Sequence, residues 1–307
     1  MKLHLTLALA LLAAAPAALR AAGGLALQAA CERELARLPA EAVAADLGTG
    51  ALLAEVRPTG WQERELPGGS LVKVFLYLLA GGARPAALAE VAGCPASGPL
   101  ESSADTCWFK PGHGVLGFGR GLAHSCQRFS SLLARGLDPG PFRERLRLCG
   151  LGVGGGTPAG RREKELELTG HSTSIRATPR RWLAALGCCV NGGCLFELAP
   201  GRGRLLRRVT WDARVSRAVL EGLRLTAAEG TARSARLRGA LAKTGTAPIL
   251  AADGRVEPNR TQGWAFVVVA PDSRAPVGLL VHLAPGTGSE AAGLAGRIVR
   301  RWRAESP

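Results

Sequence analysis

Arginine supplies most of the positive charge of this chain. Lys+Arg total 39, yet lysine stands only at positions 2, 73, 110, 164 and 243. Lys73 lies in "PGGSLVKVFLYLLAGG", one of the most apolar stretches of the sequence, three residues after Ser70. Residues i and i+3 share a helix face. Ser70 and Lys73 therefore point the same way, with the hydroxyl at the helix start, where backbone N–H groups are free and the dipole is positive. An amine acts as a base only while neutral, and apolar surroundings favour that form by lowering its pKa. Leu71, Val72, Val74, Phe75 and Leu76 supply such surroundings. Arginine cannot take this role, because its pKa stays above about 12. The pair reads as a nucleophile with its base. The plainer reading is a snorkelling lysine on a partly buried helix, and Ser-x-x-Lys alone does not separate the two.

The second unusual lysine is in "ALAKTGTAP", where Lys243 ends a strand-like run just before Thr244-Gly245-Thr246. A flat strand edge with a cation and hydroxyls suits a peptide-like substrate that bears a carboxylate. The edge can pair with it as an added strand, and one backbone N–H can point at an oxyanion. The plainer reading is a strand ending in a turn, but two rare lysines in complementary motifs argue against coincidence.

Several elements must position these groups. "EAVAADLGTGALLAEVRP" reads as a hairpin about Leu47-Gly48-Thr49-Gly50. Pro67-Gly68-Gly69 cannot be helix interior, Ser70 suits an N-cap or first turn, and a helix is expected over Leu71 to Ala80. Residues 83–170 are Gly/Pro-rich, with short helices expected at Phe129 to Leu137 and Pro141 to Leu148. A further helix is capped by Thr178, opened by Pro179 and ended at Gly192, and another starts near Asp212 and stops at Gly230. "LRGALAKTGTA", "TQGWAFVVVA" and "VGLLVHLA" are strand-like, and an amphipathic helix closes the chain. Strands at both ends with helices between imply one α/β sheet built from both termini, with an inserted helical lobe over about 83–230.

Composition narrows the function. At 307 residues and 47% hydrophobic content the chain can bury a sizeable core as one large domain or two lobes. The net charge is +15, but the arginines are scattered rather than gathered in an aromatic-bearing stripe, which argues against a nucleic-acid surface. Residues 1–22 read as an export signal, with Lys2, an apolar run over Leu5 to Leu19, and small residues at Ala15-Pro16-Ala17 or Leu19-Arg20-Ala21 for cleavage. An uncleaved anchor giving membrane association is the alternative. The eight cysteines suit an oxidising compartment, and Cys94 with Cys107, bracketing a short loop, is the best candidate disulfide. The five histidines read as isolated, and no Cys/His spacing points to zinc, so neither metal nor cofactor is expected.

Taken in order, Ser-x-x-Lys, a serine-containing middle motif and Lys-Thr-Gly resemble the penicillin-recognising serine acyltransferases, the penicillin-binding proteins and serine β-lactamases. The finer resemblance is to the transpeptidase domain of class B type penicillin-binding proteins, and it spans about residues 40–300. "AADLGTGALLAEV", "PGGSLVKVF", "GLAHSCQRFS", "GHSTSIRATPRRWLAALGCCVNGG", "GLRLTAAEGTA", Lys-Thr-Gly-Thr and Trp264-Ala265-Phe266 carry it. It implies an antiparallel five-stranded sheet flanked by helices, with a transpeptidase-like domain over 32–307. It implies Ser70 as acyl-accepting nucleophile, Lys73 as its base, and Ser125 as a proton relay aided by Lys243. Thr244, Gly245 and Thr246 would hold the substrate, the two hydroxyls taking its carboxylate, and the N–H groups of Ser70 and Thr246 would form the oxyanion hole. Gln127 stands where the family has asparagine, one methylene shorter, so its contact with a substrate amide requires the backbone to retreat.

The function so implied is a D,D-transpeptidase or D,D-carboxypeptidase-like acyltransferase, exported, acting on D-Ala-D-Ala peptidoglycan stems and inhibited by β-lactams. A class D-like β-lactamase and a non-catalytic penicillin- or peptidoglycan-binding module are the competing readings.

Overall fold

The computed structural model describes residues 23–59, 61, 63–96 and 107–306. The proposed signal segment, residues 1–22, lies outside the described residues. The architecture is a central sheet covered on both faces by helices. Its strands are β1 (Ala40–Asp46), β2 (Ala51–Val56), β3 (Ala199–Pro200), β4 (Leu241–Leu250), β5 (Val256–Val269) and β6 (Val277–Leu283), in the spatial order β4-β5-β6-β1-β2-β3. The sheet therefore has six strands rather than the five expected. The extra one is a two-residue piece paired in parallel with β2, through Ala51 and Leu52. The other neighbours are antiparallel.

Side chains alternate between the two faces of a strand, and here the alternation sorts residues into two cores. Trp264, Phe266, Val268, Leu280, Val43 and Ala45 pack into the larger core, shared with the helical lobe. Ala265, Val267, Val269, Leu279, Val281, Ala42 and Ala44 pack into the smaller one, against a helix at 23–35 and the C-terminal helix Gly288–Glu305. Both sides of β1 are thus covered, and all seven of its residues are buried. On β4, Leu241 belongs to the larger core and Ala242 to the smaller. By the same alternation Lys243 and Gly245 face the lobe.

The helices follow their caps. Thr178 accepts from Arg181 N at the start of Pro179–Val190, and Asp212 accepts from Arg214 N and Val215 N at the start of Ala213–Ala228. Thr287 and Glu290 form a reciprocal capping box on the C-terminal helix. The helix after Ser70 runs from Lys73 to Ala83, later than expected, because a 3-10 turn over Gly69–Val72 precedes it. It is apolar around its circumference and buried from Lys73 to Leu78, which is how a helix through a core reads. Among the described residues no helix is long and apolar enough to cross a membrane.

Candidate active site

Two tryptophans fix the approach to Ser70. The strand Leu66–Pro67 pairs with Ile175–Ala177. Trp182 Nε1 donates to Leu66 O at 2.9 Å, and Trp264 Nε1 donates to Pro67 O at 3.0 Å. The chain then turns at Gly69, whose φ is 56° and whose added Cβ would lie 2.3 Å from Thr246 O. Only glycine allows both that dihedral and that approach to β4. Gly245 completes the contact from the other side, since a Cβ there would meet Gly68 O at 2.3 Å. The Ser70 turn and the Lys-Thr-Gly strand are thus pressed backbone to backbone. Ser70 is half-buried and makes no capping bond; Val72 is the N-cap of the helix.

Both lysines are fully buried, and they converge on Ser125. Lys73 Nζ donates to Ser125 O at 2.9 Å and reaches Ser125 Oγ at 3.5 Å. Lys243 Nζ donates to Ser125 Oγ and to Thr244 O, each at 2.9 Å. The bonds of Lys73 therefore go to Ser125 and not to the Ser70 hydroxyl that the i, i+3 spacing pairs with it. Desolvation lowers Lys73 from its ordinary 10.5 to about 8, against smaller opposing effects of Cys107 and Cys126. Desolvation, with the Lys73 charge as the second cause, holds Lys243 well below the ordinary lysine range. A neutral amine has two N–H groups and a lone pair. With both N–H groups of Lys73 on Ser125, the lone pair remains for a hydroxyl.

Ser125 sits on a tight turn between the helices Phe118–Ala123 and Gln127–Arg135, with φ at 49°. Its N–H donates to Leu122 O at 3.0 Å. That left-handed conformation is uncommon for a residue with a Cβ, and such residues cluster at functional sites.

Gln127, Thr244 and Thr246, expected to hold the substrate, have these partners within the protein. Gln127 is buried, and its Nε2 donates to Ser131 Oγ at 3.3 Å and Thr169 Oγ1 at 3.1 Å, while its Oε1 is buried without a partner. The longer side chain has turned inward. Thr244 is buried and donates to Thr231 Oγ1 at 2.6 Å, and Thr246, exposed, accepts from Gly288 N at 3.0 Å. Strand alternation places both hydroxyls on the face opposite Lys243.

Sequence reasoning missed His171. Its Nδ1 lies 3.1 Å from Thr169 Oγ1, whose own hydrogen goes to Glu165 O at 2.7 Å. Nδ1 therefore carries the proton and Nε2 keeps its lone pair. Desolvation and the nearby Lys73 charge push the imidazole down to about 4. The signal lay in "LTGHS", where the left-handed Gly170 is packed against Gly69 O, but one sequence cannot show that approach.

Two expectations about cysteine and histidine fail. All eight cysteines are free thiols, so the expected Cys94–Cys107 disulfide is absent. Cys94 Sγ and Cys107 Sγ instead both approach His113 Nδ1, at 3.5 and 3.4 Å. Nor are the histidines isolated, since the rings of His113 and His124 lie 5.2 Å apart. Cys126, next to Ser125, belongs to the same group of ligand atoms.

With this geometry in view, the chain can be set beside known proteins. No protein-family model matches the sequence, and no curated protein matches it. Solved structures do. The transpeptidase domain of Burkholderia pseudomallei penicillin-binding protein 3 aligns over 93% of this chain and 94% of its own, at 19% identity and a TM-score of 0.72. Pseudomonas aeruginosa PBP2 aligns over 90% of this chain and 76% of its own, at 18% identity and a TM-score of 0.72. The D,D-transpeptidase domain of a peptidoglycan glycosyltransferase from Eggerthella lenta aligns over 90% and 80%, at 15% identity and a TM-score of 0.68. The fold is that of the transpeptidase domains of penicillin-binding proteins.

Proposed function

We propose that this chain is a penicillin-binding serine acyltransferase that acts on D-Ala-D-Ala peptidoglycan stems as a D,D-transpeptidase or D,D-carboxypeptidase, through an acyl-Ser70 intermediate. The observation that carries this reading is the convergence of two buried amines on Ser125, beside a half-buried serine on a turn pressed against an edge strand.

The steps follow from the groups present. The lone pair of Lys73 takes the Ser70 proton as Oγ attacks the carbonyl carbon of the penultimate D-alanine. The developing oxyanion lies toward the N–H groups of Ser70 and Thr246. Ser125 Oγ accepts from Lys243, so its own hydrogen is free to move to the leaving amine, and Ser125 recovers a proton from the lysines. Collapse releases D-alanine and leaves the ester on Ser70. An amine of a second stem, or water, then attacks that ester. A β-lactam enters at the first step, and its opened ring stays attached. The substrate is cell-wall material, so the chain acts outside the cytoplasm, and its positive charge suits an anionic envelope.

The test is labelled penicillin with intact-mass readout and peptide mapping. A long-lived adduct on Ser70, absent from Ser70→Ala, is the expected result. Rapid turnover of the adduct would make the chain a β-lactamase. No adduct together with retained peptidoglycan binding would make it a non-catalytic module, a reading that draws support from the inward turn of Gln127.

A further inference from the structure

Behind the Ser125 turn, three sulfurs and one imidazole nitrogen meet. Cys94 ends the short strand Val91–Cys94, Cys107 and His113 lie on the segment that returns toward Gly114–Gly117, and Cys126 precedes the helix Gln127–Arg135. Their ligand atoms all lie within 4.8 Å of one another, and the three cysteines are buried.

Three of the six edges of the group have the lengths of a tetrahedral zinc site, and the other three lie within 4.8 Å. With zinc–sulfur bonds of about 2.3 Å and zinc–nitrogen bonds of about 2.0–2.1 Å, sulfur–sulfur edges come to about 3.8 Å and sulfur–nitrogen edges to about 3.5 Å. Cys107 Sγ and Cys126 Sγ are 3.9 Å apart, and the two sulfur–Nδ1 distances are 3.5 and 3.4 Å. Hydrogen bonding does not account for the cluster equally well. His113 Nδ1 has a single lone pair, yet two thiols approach it at nearly the same distance. A disulfide does not account for it either, because three cysteines leave one thiol and the imidazole over. A cation at the centre satisfies all four ligands at once. Outer support is present too: Gln127 N–H donates to Cys107 Sγ at 3.4 Å, and the His113 ring packs against Phe109 at 5.0 Å and Trp108 at 5.5 Å.

We propose that Cys94, Cys107, His113 and Cys126 form a structural zinc site that fastens the Ser125 turn to the small sheet Val91–Cys94/Gly114–Gly117. Three thiolates and one imidazole suit a soft to borderline divalent ion held tetrahedrally, and a closed set of four protein ligands marks a structural rather than a catalytic centre. Three thiols lose their protons on binding, and His113 ligates through Nδ1. The site stands whether or not Ser70 is acylated.

The experiment uses the tag-free full chain, purified under reducing conditions, with zinc and cobalt(II) as probes. Elemental analysis should give one zinc per chain. Cobalt in its place should give the intense visible bands of a tetrahedral ion and a thiolate charge-transfer band. Cys94→Ser and His113→Ala should each weaken zinc binding at least tenfold in chelator competition, while Cys194→Ser, outside the group, should leave it unchanged. Adding a strong chelator to the zinc-loaded protein should expose three further thiols to alkylation. Reduced wild-type protein that takes up neither ion at micromolar concentrations, or octahedral cobalt spectra, or a disulfide joining two of the three cysteines in the purified protein, would overturn the proposal. These readouts use the wild-type chain, so a variant that fails to fold does not decide the matter.

Discussion

The rate of Ser70 acylation should climb with pH along the titration of Lys73. Burial lowers this amine from 10.5 to about 8. At pH 7 an ordinary lysine is neutral in about 0.03% of molecules, whereas one with a pKa of about 8 is neutral in about 9%, a gain of roughly 300-fold. At pH 6 the neutral fraction is about 1%, and at pH 9 about 90%. The second-order rate constant for fluorescent penicillin should therefore rise nearly tenfold per unit from pH 6 to 7.5 and level off above about 8.5. Stopped-flow mixing followed by quench and mass readout measures it. Penicillin's carboxylate stays ionised throughout and does not intrude. Lys73→Arg, which keeps the charge and cannot lose it, should be flat with pH and at least a thousandfold slower. A wild-type profile flat from pH 6 to 9, or one with its midpoint near 10.5, would refute Lys73 as the base. The same burial has a stability sign. The folded pKa lies below the unfolded one, so between about 8 and 10.5 the unfolded chain holds a proton that the folded chain lacks. Stability rises with pH through that window, and below it the full cost of about 3 kcal/mol is present.

Lys73→Met should accordingly raise stability at pH 7 by about 1–3 kcal/mol in denaturant titration while abolishing the penicillin adduct. Arg143→Met should cost about 3–5 kcal/mol, because Arg143 is buried against Glu167 at 2.6 Å and also holds the carbonyls of Gly154 and Gly155; adding Glu167→Gln should recover part of the loss. Ser125→Gly and Ser125→Ala remove the same hydroxyl, but only alanine keeps a Cβ at φ 49°, so the glycine variant should be the more stable by about 1 kcal/mol; equal melting temperatures would show that the turn is unstrained. Acid should destabilise the fold, because burial lowers the pKa of His282 despite its bond to Glu41, and a folded pKa below the unfolded one removes stability as pH falls beneath the ordinary histidine range; His282→Gln should flatten that dependence in thermal melts.

The sequence was most readable where period and cap agree. Trp264 to Val269 is an unbroken apolar run, as a strand buried on both faces reads, and Thr178, Asp212 and Thr287 each cap the helix that follows them. The Ser70 segment was harder. Its residues are helical in composition, but Gly69 must close a turn against Thr246, so the first turn tightens to 3-10 and the α-helix begins at Lys73. The sixth strand was invisible because Ala199–Pro200 has no pattern of its own and exists only by pairing with β2. At the site, two rare lysines in apolar runs were legible as buried amines. What they touch was not, because Lys73 reaches Ser125 across 52 positions and Lys243 reaches it across 118. The cysteine–histidine group was lost for the same reason, being assembled from four separate points in the lobe.

Ser125 is where these effects meet. Its φ of 49° carries a cost of about 1–2 kcal/mol for a residue with a Cβ. Two features offset that cost locally. Cys126 N–H donates to Gly121 O at 2.9 Å, and Lys73 donates to the Ser125 carbonyl at 2.9 Å. The strain and the buried amine therefore support each other. The turn gives Lys73 an acceptor in place of water, and Lys73 gives the turn a reason to hold. A zinc ion on Cys126 would anchor the residue next to Ser125. Removing the Lys73 amine would leave the Ser125 carbonyl without its 2.9 Å donor, while Lys243 holds the hydroxyl by a bond of its own. The middle motif is thus held partly from outside, by Lys73 on the Ser125 carbonyl and Lys243 on its hydroxyl, and the Gln127 side chain, bonded to Ser131 and Thr169, takes part in neither contact.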